Sequence, residues 1–190
     1  MKASTLKDAL RFAKANPDKL TYSSLGPATN QAISMAHFNS LAGISMTHVP
    51  YSSAANMYPD IVSGRVDLTL DTIPNALPLL QKGAIKAFAV TSSERISTLP
   101  DVPTVSEAGV PNYQAIAWFG IVGPAGIPAP TLQKLATSID ESLKGEEYAH
   151  WIKQNSALPE PDGTPESFDR FIRTERDLWK GPISAGQKTQ

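Results

Sequence analysis

The chain has 190 residues, 41% of them hydrophobic, and 17 Lys and Arg against 18 Asp and Glu leave a formal net charge of −1. That length suffices for an ordinary core, and the balanced charge carries no electrostatic footprint for a nucleic acid. With no cysteine there is no disulfide, thiolate zinc site or cysteine nucleophile, which leaves the compartment open.

Ser4 or Thr5 can cap a first helix, with Leu6, Ala9, Leu10 and Ala13 at helical spacing and an end before Asn16-Pro17. Leu20 to Ser24 reads as a short strand, Gly26 to Asn30 as its turn, and the next helix runs to Gly43. Thr47 to Tyr51 is a second strand, followed by a helix from Ala54 to Val62 in which Pro59 is the discordant residue. Val66 to Leu70 is a third strand, Pro74 to Leu80 a helix, and Ile85 to Val90 a fourth strand. Alternation of this kind predicts a mostly parallel sheet with helices on its faces.

Ser92 to Pro111 then departs over the surface, and Gln114 to Val122 is a long apolar stretch. Beyond Pro130 the pattern is helical. Thr131 to Leu143 and Glu147 to Gln154 are predicted helices, and Thr164-Pro165 caps and opens a last one through Trp179. The 16 prolines are spread along the chain, as short punctuated elements require. No run reaches the roughly 18 apolar residues of a membrane span, so no direct membrane insertion is expected. The first residues lack the basic start and apolar stretch of a secretory signal, so no export signal is expected within this chain.

The search for reactive motifs is negative. There is no G-x-S-x-G, H-E-x-x-H, Walker loop or G-x-G-x-x-G, and His37, His48 and His150 have no ligand spacing. No metal or cofactor is therefore expected, and no catalytic residue. Three turns after predicted strands carry more weight, because small ligands of parallel sheets sit beyond the strands' carboxyl ends, facing helix N-termini. Ser23, Ser24, Gly26, Ala28, Thr29 and Asn30 place hydroxyls and N–H groups at a helix start. That can cradle a carboxylate or phosphate, or be a plain helix cap. Asp71 can cap the helix after it, or hold a ligand amine or hydroxyl. Tyr51 offers a phenol to the same edge, or packs in the core.

Several runs together resemble one family. They are Asn16-Pro17-Asp18-Lys19-Leu20, His48-Val49-Pro50-Tyr51, Gly64-Arg65-Val66-Asp67-Leu68 and Ala89-Val90-Thr91-Ser92-Ser93-Glu94-Arg95. The run from Leu99-Pro100-Asp101-Val102-Pro103-Thr104 to Glu107-Ala108-Gly109 is the most specific, and Trp118-Phe119-Gly120, Pro124-Ala125-Gly126 and Gly163-Thr164-Pro165-Glu166 follow in order. Over essentially the whole chain the sequence resembles the Bug-type solute-binding receptors of tripartite tricarboxylate transporters.

The resemblance implies an α/β, type II-like, two-lobed periplasmic binding protein that closes on a small carboxylate and hands it to membrane permease subunits. It implies that residues 4–117 are one complete lobe, the ligand-binding one. Residues 118–190 would be the mostly helical C-terminal part of the other lobe, and the family's N-terminal segment would be missing from this truncated chain. Ser23, Ser24, Gly26, Ala28, Thr29, Asn30, Tyr51 and Asp71 would then line the cleft. Two positions depart from the family: Pro27-Ala28 replaces a donor and a glycine, and Ser52-Ser53 stands where many relatives have Lys-Gly. The expected function is carboxylate capture without catalysis, in the periplasm. An interaction or regulatory lobe without ligand affinity and, further off, a serine hydrolase are the alternatives.

Overall fold

A computed structural model describes residues 3–158 and 163–186. The chain divides into two compact units, one running to Ala117 and resuming at Pro182, the other Trp118–Gly181.

In the first unit, helix α1 (Leu6–Ala15) starts at a reciprocal cap. The Asp8 backbone N–H donates to Thr5 Oγ1 at 3.2 Å, and the Thr5 N–H donates back to Asp8 Oδ2 at 3.1 Å. Three parallel strands follow, each leading into a helix: β1 (Thr21–Ser24) to α2 (Asn30–Ala42), β2 (Thr47–Pro50) to α3 (Ala54–Val62), and β3 (Leu68–Thr69) to α4 (Ile73–Gln81). Their order is β2-β1-β3, so β1 is central and the chain reverses direction across it. Side-chain alternation splits the sheet. Leu20, Met46 and Leu68 meet Leu6, Ala9 and Leu10 of α1 and Phe38 of α2. The opposite face carries Thr21, Ser23 and Thr69. Burying the apolar set, with Tyr22, Met35 and Met57, is the main stabilising term of this unit.

Pro59 does not break α3. Its ring leaves the Ala55 carbonyl without a helical donor, but both residues are exposed and water can take the donor's place, while Met57 is buried on the other side. Helix α2 ends as its sequence predicts, at Gly43 in the left-handed region with φ +61°.

Two strand expectations need correction. The third strand shrinks to two residues because Thr21 and Asp67 bond through side chains instead of a ladder. Thr21 N–H donates to Asp67 Oδ2 at 3.0 Å, and Asp67 N–H donates to Thr21 Oγ1 at 3.1 Å. The fourth strand, predicted over Ile85 to Val90, does not form. With β3 so short it meets no long edge, and its ladder-type bonds are confined to Val90, whose N–H reaches Pro103 O and whose carbonyl accepts from Val105.

Glu107 fastens the loop that follows. Its carboxylate accepts from the Thr104 N–H at 2.8 Å and from Arg95 at 2.9 Å, and both hold its pKa below the usual carboxylate range. Val105, Ala108, Val110, Tyr113 and Ala115 return to the core, where the Tyr113 hydroxyl donates to the Ser34 carbonyl of α2 at 3.1 Å.

The second unit holds α5 (Ala129–Leu143), α6 (Glu146–Asn155) and most of α7 (Pro165–Gly186). Thr164 accepts from the Ser167 N–H at 3.1 Å, as the cap signal predicts. Trp118 packs edge-on against Phe168 and Phe171, and the indoles of Trp118 and Trp179 both donate to Glu175 Oε2, at 3.3 and 3.1 Å. An added Cβ at Gly120 would lie 2.0 Å from the Phe168 ring, so only glycine fits there.

Candidate functional site

Parallel pairing puts the ends of β1, β2 and β3 on one edge, with the first turns of α2, α3 and α4 above it. The reversal of strand order at β1 opens the crevice between the β1 and β3 ends, the usual ligand position in open parallel sheets.

The turn from Ser24 to Thr29 is held from inside. Ser24 is fully buried, and its hydroxyl oxygen accepts from the Gly26 N–H at 3.1 Å, lies 2.9 Å from the Gly26 carbonyl and 2.7 Å from His48 Nε2. Gly26 adopts φ +129°, which side-chain-bearing residues rarely reach. Thr29 is the N-cap of α2: its hydroxyl donates to Gly26 O at 2.7 Å and accepts from Ala32 N–H at 3.4 Å. Gln31 Oε1 takes the Leu25 N–H at 3.0 Å. Among the described residues, the N–H groups of Ala28, Asn30 and Gln31 are left without an acceptor. Three free donors at the positive end of a 13-residue helix make an anion cradle.

The other expected residues sit around this turn in different roles. Ser23 is buried on the opposite sheet face, its hydroxyl unpartnered beside its register partner Thr69, whose hydroxyl is also unpartnered. Asn30 is exposed at the first turn of α2, its amide oxygen accepting from Ser34 at 3.1 Å. The Tyr51 N–H donates to Ser24 O, which ties the second turn to the first, but its phenol turns to Asp60 at 2.8 Å, where Arg65 also binds at 2.6 Å. Asp71 is not the cap of α4, which is Thr72. Its Oδ1 accepts from the Thr72 N–H at 2.7 Å and the Asn75 amide at 3.1 Å, and its Oδ2 accepts from the Tyr58 hydroxyl at 2.5 Å. Burial and this carboxylate push the Tyr58 phenol well above its ordinary value, so its proton stays in place.

Sequence reasoning missed Tyr58 and His48. The signal for Tyr58 was its place early in the helix after β2, which returns to the same edge as Asp71. His48 stands opposite Tyr22 in the register and stacks on it at 4.9 Å, and burial lowers its basicity. Ser24 and His48 have the spacing of a nucleophile and its base. Ser24 is sealed from solvent and its oxygen holds the turn, so no substrate carbonyl can approach it. Among the described residues no cluster of three or more His, Asp or Glu could hold a metal ion.

The model of the tripartite tricarboxylate transporter family receptor, TctC, matches residues 1–185. The chain belongs to this family. Curated relatives of the chain include BugT of Bordetella pertussis, 27% identical over 96% of the chain and 56% of the relative. Another is the UPF0065 protein of the tcbD-tcbE intergenic region of Pseudomonas sp. strain P51, 29% identical over 90% of the chain and 51% of the relative. Among solved structures, an R. palustris protein with adipate superposes with a TM-score of 0.81 at 29% identity, over 98% of the chain and 62% of that structure. MatC of Rhodopseudomonas palustris with bound malate gives 0.79 at 28%, over 96% and 63%. The periplasmic binding protein BugD gives 0.79 at 25%, over 98% and 63%. The TctC chain thus has the α/β fold of periplasmic binding proteins, and spans about half the length of the curated relatives it matches. Among the described residues no helix is long and apolar enough to cross a membrane.

Proposed function

We propose that this TctC chain is the ligand-capturing part of a periplasmic receptor that takes up a small mono-, di- or tricarboxylate and delivers it to the permease subunits of a tripartite transporter. Residues 4–117 are the capturing lobe, and residues 118–190 contribute to the other lobe. The observation that carries this reading is the set of three free N–H groups, Ala28, Asn30 and Gln31, at the start of α2 beside the crevice. A carboxylate there accepts charge-assisted hydrogen bonds and meets the positive end of the helix dipole. The bound adipate and malate of two structural neighbours support the ligand class. Binding without chemistry suits a site in which the Ser24, Tyr51 and Asp71 side chains are each bonded within the turns or to a neighbouring side chain. In a two-lobed receptor, ligand bound better by the closed form shifts the hinge equilibrium toward it.

A thermal-shift and calorimetric screen of mono-, di- and tricarboxylates, aromatic acids included, tests the proposal. At least one acid should raise the melting temperature and bind saturably. Silence across the whole panel would favour the interaction lobe without ligand affinity.

A further inference from the structure

The turns after β1 and β3 are neighbours, because β1 and β3 are paired, and the second adds a group the first lacks. The first presents donors, the free N–H groups of Ala28, Asn30 and Gln31. The second adds acceptors, the Asp71 carboxylate and the Tyr58 oxygen, beside the N–H groups of Ile73 and Asn75 at the start of α4. The single proton of the Tyr58 hydroxyl is spent on Asp71 at 2.5 Å, so the phenol oxygen has lone pairs and nothing to donate. Asp71 Oδ1 already holds the Thr72 N–H and the Asn75 amide, which fixes the carboxylate and leaves Oδ2 with spare accepting capacity. No Lys, Arg or His of the described residues lies within ion-pair distance of Asp71: Arg65, the cation nearest in sequence, is held by Asp60 at 2.6 Å. Asp71 and Tyr58 are both half-buried, where an unmet acceptor facing another acceptor is costly.

We infer that Asp71 and Tyr58 read a hydrogen-bond donor on the ligand, so that the receptor selects carboxylates bearing a hydroxyl or ammonium group over parents that lack one. This rests on the carboxylate capture proposed above and gives it a chemical class. The ligand's carboxylate lies at the start of α2, and its hydroxyl or ammonium proton points to Asp71 Oδ2 or the Tyr58 oxygen. The same logic makes sites built for a substrate hydroxyl reject the analogue that lacks it.

Calorimetric titration of the 190-residue chain with matched acids decides the matter. The probes are butanoate and succinate, each beside its 2-hydroxy and 2-amino derivatives. The expected result is about tenfold or greater preference for a derivative over its parent, the discrimination one hydrogen bond to a charged group supplies. Asp71→Asn, whose amide can donate, should cut that preference to about threefold or less. A cooperative urea transition shows that the variant is folded. Tyr58→Phe keeps the charge and removes one acceptor, and should lower the preference by about threefold. Equal binding of parents and derivatives, or a preference that survives Asp71→Asn, overturns the inference and leaves carboxylate capture standing. Failure of every acid to bind overturns both.

Discussion

Replacing Thr29 by alanine removes two hydrogen bonds at once, the one that closes the turn onto Gly26 and the one that caps α2. The expected cost is about 1 kcal/mol of stability, read from urea unfolding. Ligand affinity should fall by roughly 1–3 kcal/mol in calorimetry because the free N–H groups lose their orientation. Thr29→Ser keeps the hydroxyl and should restore both, and an unaltered affinity in Thr29→Ala would detach the cradle from the site. The half-buried histidines give a second residue-scale expectation. Burial lowers the basicity of His37 and His48, so the unfolded chain takes up protons first as the pH drops below about 6.5. Stability should therefore decline on acidification from pH 7.5 to 5.5, before the Glu107 clip is lost at still lower pH, and His37→Gln with His48→Gln should flatten the decline. Residue identity predicted which side chains gather at this edge, since Ser24, Thr29, Tyr51 and Asp71 all follow strands. It could not show that each is already bonded to its own backbone or to a neighbour. Those commitments arise only when β1, β2 and α3 are brought together, as with Tyr51 and Asp60 or Tyr58 and Asp71.

At the scale of elements, helices were the legible part, because their start and stop signals are local. Thr5 with Asp8, Thr29, Gly43 and Thr164 each do what their position along the chain predicts. Strands depend on distant partners, which no local pattern contains. Ile85 to Val90 has the composition of a buried strand, yet a ladder requires an edge, and β3 offers two residues. Proline misleads in the opposite direction: Pro59 and Pro78 sit inside helices because each faces solvent, as do Ala55 and Pro74, the residues four positions before them. Gly43 supplies the test at this scale. Its φ of +61° is strained for any other side chain, while the space around it is open, so Gly43→Ala isolates backbone strain from packing. Its urea midpoint should drop by the equivalent of about 1 kcal/mol with an unchanged slope. No shift would mean that the end of α2 relaxes into another turn.

For the molecule as a whole, the distribution of burial is uneven. Every fully buried side chain among the described residues lies at or before Ala115. Beyond it, Phe119 is 88% exposed, Ile121 72% and Val122 75%, in an extended segment whose backbone meets no strand. Contiguous apolar surface of this kind ordinarily finds a partner. Hydrogen exchange should be slow from Leu20 through Ala115 and fast over Trp118–Gly181, and the mass of the purified chain should rise with concentration. A monomer with uniformly slow exchange would show that residues 118–181 are stable without further cover. The three tryptophans, Trp118, Trp151 and Trp179, all fall in that second unit, whereas the sheet and its turns carry tyrosines alone. Light absorbed only by indole thus samples the helices after Ala117, whereas tyrosine emission comes from Tyr22, Tyr51, Tyr58 and Tyr113 of the first unit and from Tyr148, stacked on Trp151, of the second. The protein therefore carries an intrinsic optical signal confined to the second unit, and melting of those helices can be recorded by itself with no dye attached.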